Sequence, residues 1–267
     1  MTIARKFGVE IEYVGVRRSV IVDALKRIKV KCVAENYNHR TKRHWKIVRD
    51  ASLNYMRGSD FTGELVSPPL YGKRGLNKLR KVVQAMADAG ATVNSSCGLH
   101  VHVDANDLTP NQILAVSQRY GIFEKRFDKI MDPSRANTEW AQKVNKRYHA
   151  DLVSSFKYYK NIGYSFKNAT SYISRYRKLN IASFNRHGTI EFRQHEGTMD
   201  PDRILNWVQF CTHFVEESCN NILPNNNLEL ASKLNRSLFH EIPEDVTEYY
   251  KNILKAKATK KKACVRS

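Results

Sequence analysis

The chain has 267 residues, with 45 Lys+Arg against 26 Asp+Glu, a formal charge of +19 and a pI of about 9.8. Its 42% hydrophobic and 10% aromatic content supplies a packed core and excludes wholesale disorder, and no apolar run approaches the ~20 residues of a bilayer span. The five cysteines (32, 97, 211, 219 and 264) are odd in number and lack a CxxC, which excludes a disulfide scaffold and a zinc ribbon.

From the N-terminus, the chain enters a strand pattern directly over Arg5–Val14. This predicts no secretory leader and a reducing cytoplasm. Phe7, Val9, Ile11 and Tyr13 share one face of that strand. A helix is expected over 17–29, then short strands around His44–Arg49 and Phe61–Val66. An amphipathic helix covers 72–89 and ends at Gly90. Gly98–Asp104 alternates again. Thr109, Pro110 and Gln112 make a capping box for a helix running to about Met131. A basic, mostly helical insert spans about 135–180. Asn180–Phe184 and Thr189–His195 then read as a hairpin around Asn185–Gly188. Asp200 caps a helix from Pro201, and another starts near Pro243. The sequence predicts one α+β domain over 1–250 and a basic tail over 251–267.

Charge is unevenly placed. The tail holds seven Lys/Arg and no acid, and 135–180 holds ten Lys/Arg against Glu139 and Asp151. The insert also carries many aromatics, a mixture suited to nucleic acid or to a nucleotide. Trp140 and the Tyr158–Tyr159 pair are expected to pack rather than to serve as stacking platforms, and Cys97 reads as a buried thiol.

Three strands share a second pattern. Phe7-Gly-Val-Glu-Ile-Glu12 has two carboxylates two apart, Gly98-Leu-His-Val-His-Val-Asp104 has two imidazoles and a carboxylate, and Thr189-Ile-Glu-Phe-Arg-Gln-His195 has Glu, Arg and His. Strand side chains alternate faces, so each set forms an aligned row. One such row alone marks the solvent face of a half-buried sheet. Together they are short acids and imidazoles in a Lys-rich chain, and Glu64 adds a fourth strand. That composition fits divalent cations, with the basic surroundings receiving a polyphosphate.

The ordered set FGVEIE, GELVSPP, CGLHVHVD and GTIEFRQHEGT, over roughly residues 5–220, resembles the amidoligase family of phages and bacteria. That family is related to the carboxylate–amine ligases glutamine synthetase and glutamate–cysteine ligase. The resemblance implies a curved, mostly antiparallel sheet of the glutamine synthetase type. Helices pack on its convex face, and ATP with Mg²⁺ or Mn²⁺ lies on the concave one. It assigns Glu10, His100 and Glu191 to the metal at the transferring phosphate, and Glu12 and Glu64 to a neighbouring metal. Asp50 is a third acid there, with Asp60 a competitor. Arg193 matches the arginine that stabilises the phosphoryl group, so Arg193, Glu191 and His100 are the catalytic candidates. Arg175, Arg177 and Asn180 precede a site strand and are candidates for nucleotide binding beside Arg193. His102 has no family counterpart; lying one step along the same face, it is expected at the substrate or behind a ligand. His195 is a further substrate candidate, and Thr198 shapes either a substrate or phosphate loop or a plain strand-end turn.

The chemistry coheres. A carboxylate does not condense with an amine at neutral pH until its oxygen becomes a leaving group, and γ-phosphoryl transfer from ATP provides one. Such transfer needs positioning and charge neutralisation rather than a side-chain nucleophile. The implied partners are ATP, a carboxylate substrate and an amine (an amino acid, a peptide or a modified base), with no membrane and with an oligomer open. The competing reading is a nucleic-acid-binding protein, or a metal-dependent nuclease built on the same acids.

Overall fold

The structure is a computed structural model and describes residues 3–36, 38, 40–136, 138–220, 237–240 and 242–266. Its centre is one open seven-stranded sheet. The strands are β1 (Phe7–Val14), β2 (Cys32–Ala34), β3 (Trp45–Val48), β4 (Thr62–Val66), β5 (Gly98–Asp104), β6 (Leu179–Asn180) and β7 (Thr189–Glu196). Their order is β2-β3-β4-β1-β5-β7-β6, antiparallel except for the β2–β3 pair.

The helices are α1 (Arg18–Arg27), α2 (Gly72–Asp88), α3 (Pro110–Ile130), α4 (Lys146–Asn161), α5 (Phe166–Ala169), α6 (Ser183–His187), α7 (Pro201–Asn220) and α8 (Glu244–Arg266). The capping box of α3 is formed, with Thr109 Oγ1 accepting from Gln112 N. The predicted basic tail continues α8 as backbone to Arg266, while its side chains from position 260 lie outside the described residues. Among the described residues, no helix is long and apolar enough to cross a membrane, and Cys32, Cys97, Cys211 and Cys219 are free thiols.

The sheet separates two chemistries. Phe7, Val9 and Ile11 of β1, Leu99, Val101 and Val103 of β5, and Ile190 and Phe192 of β7 are buried in one core with α1, α2, α3 and α7. The insert joins this core: Tyr148, Leu152 and Phe156 are buried in it and α4 packs on α3. At its heart Trp207 of α7 stacks on Phe210 (5.4 Å) and meets Phe127 and Phe192 edge-on at 6.2 and 6.0 Å. Trp207→Ala is expected to cost about 3–5 kcal/mol, a large share of a domain's stability. Chemical denaturation checks this; a loss under about 1 kcal/mol would contradict the packing.

The predicted hairpin is corrected. Only Leu179 and Asn180 pair with β7 on that side, through Phe192 and Glu191. The segment after them winds into α6, which ends at Gly188 in the left-handed region (φ 67°). A Cβ at Gly188 would also collide with Asn106 Oδ1.

Candidate active site

The polar face of the sheet floors a basin of about 1410 Å³. Register places the rows side by side. Glu12 of β1 stands opposite Glu64 of β4, Glu10 opposite His100 of β5, and His102 opposite Glu191 of β7, which stands opposite Asn180 of β6. Like charges directly opposite one another destabilise a sheet, so the Glu12–Glu64 pair needs either a compensating charge or a retained proton.

The distances are short. His100 Nδ1 lies 3.1 Å from Glu10 Oε2 and 3.6 Å from Glu191 Oε1, and His100 Nε2 lies 3.8 Å from Glu12 Oε1. His102 Nε2 lies 3.3 Å from Glu10 Oε1 and 4.0 Å from Glu191 Oε1, while its Nδ1 meets Thr189 Oγ1 at 2.9 Å. Gly98 N donates to Glu12 Oε2 at 2.6 Å, and Asn180 Nδ2 donates to Glu191 Oε2 at 2.6 Å. Arg193 Nη1 donates to Glu191 Oε1 at 2.5 Å. Three overlapping triads bring ligand atoms within 4.8 Å of one another: Glu10–His102–Glu191, Glu10–Glu64–His100 and Glu12–Asp50–Glu64.

Electrostatics divides the acids. Burial works against ionisation of Glu10, yet His102 and His100 hold its carboxyl well below the usual range. Burial likewise opposes Glu191, but Arg193 and His102 bring it below normal. Glu64 is pushed well above normal by burial and by Glu10, Glu12 and Asp50, and Glu12 is raised by burial. His102 is raised by Glu191 and Glu10 against the effect of burial. Carboxylates that cannot ionise together without added positive charge fit divalent cations. Asn180 Oδ1 is buried without a hydrogen-bond partner, and the buried His102 Nε2 has carboxylates only at 3.3 Å and 4.0 Å, from Glu10 and Glu191. These residues therefore fit the implied metals.

Asp50 belongs to a triad, whereas its competitor Asp60 sits exposed in the Ser59–Phe61 turn and does not line the basin. His102, expected at the substrate or behind a ligand, lines the basin and also stands in one of the triads. Arg175, Asn180 and Arg193 line the basin. Arg177 does not: its guanidinium lies 4.5 Å from the Tyr148 ring centroid and Nη1 donates to Lys143 O.

His195 is corrected too, and Thr198 belongs to the strand-end turn. Between Leu99 and Val101 the β5–β7 register shifts, so that Leu99 pairs with His195 while Val101 pairs with Phe192. This β-bulge adds one residue to β7 and turns both Gln194 and His195 toward the helices. His195 lies 5.4 Å from the Trp207 ring, with Nδ1 donating to Glu196 O at 2.7 Å. Thr198 accepts from Asp200 N and shapes the entry to α7. Neither lines the basin.

The bulge is clamped. Gln194 Oε1 accepts from Tyr120 OH, and Gln194 Nε2 donates to Asp128, which also pairs with the fully buried Lys178 at 2.6 Å. Arg135 donates to the carbonyls of Arg193 and Gln194. Arg135 also lines the basin, and no sequence motif points to it because it lies in a short turn past α3.

Burial and nearby Arg203 hold His195 well below its usual range. A histidine depressed on folding contributes stability above its unfolded pKa of about 6.5. That stability is lost as pH falls further, because only the unfolded state takes up the proton. Wild type is expected to lose more stability than His195→Gln between pH 6.5 and 5, by up to about 1.4 kcal/mol per pH unit. Denaturation at the two pH values checks this, and parallel losses would contradict it.

The family model described as "putative amidoligase enzyme" matches residues 4–215, which cover all seven strands and every triad. No curated protein matches the chain. The chain belongs to this family of amidoligase enzymes, and its acid, imidazole and arginine rows lie within the matched segment.

Proposed function

We propose that the chain is an ATP-dependent carboxylate–amine ligase acting through an acyl phosphate. The observation that carries this is the meeting of three cation-type triads with Arg193 on one sheet face. Family membership supports amide-bond formation. The triads would hold Mg²⁺ or Mn²⁺, and the cations would neutralise phosphate charge.

The chain's own residues do the positioning. Arg193 presents a planar fork suited to a phosphoryl oxygen. Its backbone is held on both sides, with N donating to Lys178 O at 2.8 Å and O accepting from Arg135 at 3.1 Å. Asn180 fixes one oxygen of Glu191 and leaves the other toward the cluster. Arg175, Arg186 and Lys6 add positive charge around the basin for the remaining phosphates. The nucleophile is the amine substrate, so no side-chain nucleophile is needed.

The test is ADP and phosphate release with ATP, Mg²⁺ and pooled carboxylates and amines. Release that depends on both pools is expected. Nucleotide binding without ADP from any pool, or cleavage of nucleic acid without ATP, would overturn the reading.

A further inference from the structure

The insert leaves aromatic rings exposed that a packing role would bury. Tyr158 is 62% exposed, Tyr172 56%, Trp140 43% and Tyr164 40%. They are ordered rather than scattered. Tyr172 stacks on Tyr159 at 4.6 Å and 14°, Tyr164 meets both, and Tyr158 leans edge-on against Tyr159 at 5.4 Å. Trp140 meets Tyr176 at 5.4 Å. Trp140 and Tyr158 thus pack within the insert, as expected, but each keeps a large part of its ring open to solvent. The patch is continuous with the basin, because Ser171, Ile173 and Tyr176, on either side of Tyr172 and beside Trp140, line it.

Charge accompanies the rings. Lys157 and Lys160 are exposed beside Tyr158 and pair with neither acid of the insert, Glu139 or Asp151. Ten lysines and arginines against seven acids line the basin itself. A monomeric protein does not keep several exposed aromatics side by side without a reason. Stacking faces flanked by cations suit splayed bases on a phosphate backbone. An acidic peptide would use the charge but leave the rings idle.

We infer that the Tyr158–Tyr164–Tyr172 surface binds single-stranded nucleic acid and leads it to the basin as the carrier of the acceptor group. The docking surface stands on its own geometry; its role as acceptor carrier rests on the ligase reading.

The experiment is fluorescence anisotropy with a labelled oligothymidylate of about 20 nucleotides, longer than a typical stacking platform's site. It is run on the full chain with EDTA and no ATP. Its failure therefore leaves the ADP-release result untouched, and a failed ADP assay leaves this binding standing. Affinity is expected to fall linearly in log–log form with salt, and Lys157→Gln or Lys160→Gln to lower that slope by about 0.7 each. Tyr158→Ala with Tyr172→Ala is expected to weaken binding about tenfold or more at unchanged slope. An unchanged melting curve for the double variant shows that the fold is kept. No binding at low salt, an unaffected tyrosine variant, equal affinity for duplex, or equal competition by polyglutamate would each overturn the inference.

Discussion

Replacing Arg193 with Ala is expected to lower the rate of ADP formation by about 10³-fold or more, while ATP affinity changes by less than about tenfold. The asymmetry follows from where the guanidinium sits. It is largely buried and pairs with Glu191, and Nε reaches toward Trp140 O. Burial would lower its pKa, but Glu191 and Glu10 raise it, so it stays charged at the wall of the basin. A fixed cation of that kind would contribute most where phosphoryl charge spreads, in the transition state, and would add little to ground-state nucleotide binding, for which Arg175, Arg186 and Lys6 are the proposed contacts. Arg193→Lys keeps the charge and loses the fork, so it is expected to recover only part of the rate. Single-turnover ADP formation beside nucleotide calorimetry separates the two quantities. Equal losses in rate and affinity would make Arg193 an ordinary phosphate contact.

Glu64→Gln is expected to act in opposite directions on metal binding and on apo stability. Glu64 is shared by two of the three triads and stands opposite Glu12. Its removal takes a ligand atom from both positions. Mn²⁺ affinity is expected to fall by more than the ~10–100-fold that loss of an outer partner costs. Without metal, the ionised carboxylate is a liability, since burial and three neighbouring acids push its pKa well up. A carboxyl raised on folding contributes stability at acid pH, and that stability is lost as pH rises through the folded value. The apo variant is therefore expected to match or exceed wild-type stability at pH 7–8, with the gain vanishing near pH 4. Mn²⁺ calorimetry and thermal melts with EDTA check both arms. A variant that is less stable at pH 8 yet binds Mn²⁺ as wild type does would contradict the site.

Period-2 patterning makes most of this site legible in the sequence. β1 and β5 are regular through Glu10, Glu12, His100 and His102, so counting by twos puts the right groups on one face. The same count fails at His195, because the bulge against Leu99 adds a residue and the parity of β7 changes partway along. Nothing in Phe-Arg-Gln-His announces a bulge; it is set by partners far away in sequence, Tyr120, Asp128 and Arg135. α6 is hidden for a related reason. Five residues are too few for a helical period to show, and only Gly188 signals a turn. Arg135 is illegible because a lone arginine beyond a helix end has no local signature. His102 shows the limit of motif transfer: its face follows from alternation, but its place in the Glu10–Glu191 triad depends on the register of three strands. The exposed tyrosines show the converse limit, since composition cannot say which aromatic of an amphipathic insert faces out.

The most direct measurement is trapping with hydroxylamine, a small amine that intercepts an activated carboxylate whatever the natural amine is. The protein is incubated with ATP, Mg²⁺, pooled carboxylates and hydroxylamine, and hydroxamate and nucleotide products are counted. The predicted result is hydroxamate and ADP in equal amounts, both lost in Arg193→Ala and Glu64→Gln. Hydroxamate accompanied by AMP rather than ADP, or hydroxamate formation that survives both substitutions, would contradict phosphoryl transfer at this face of the sheet.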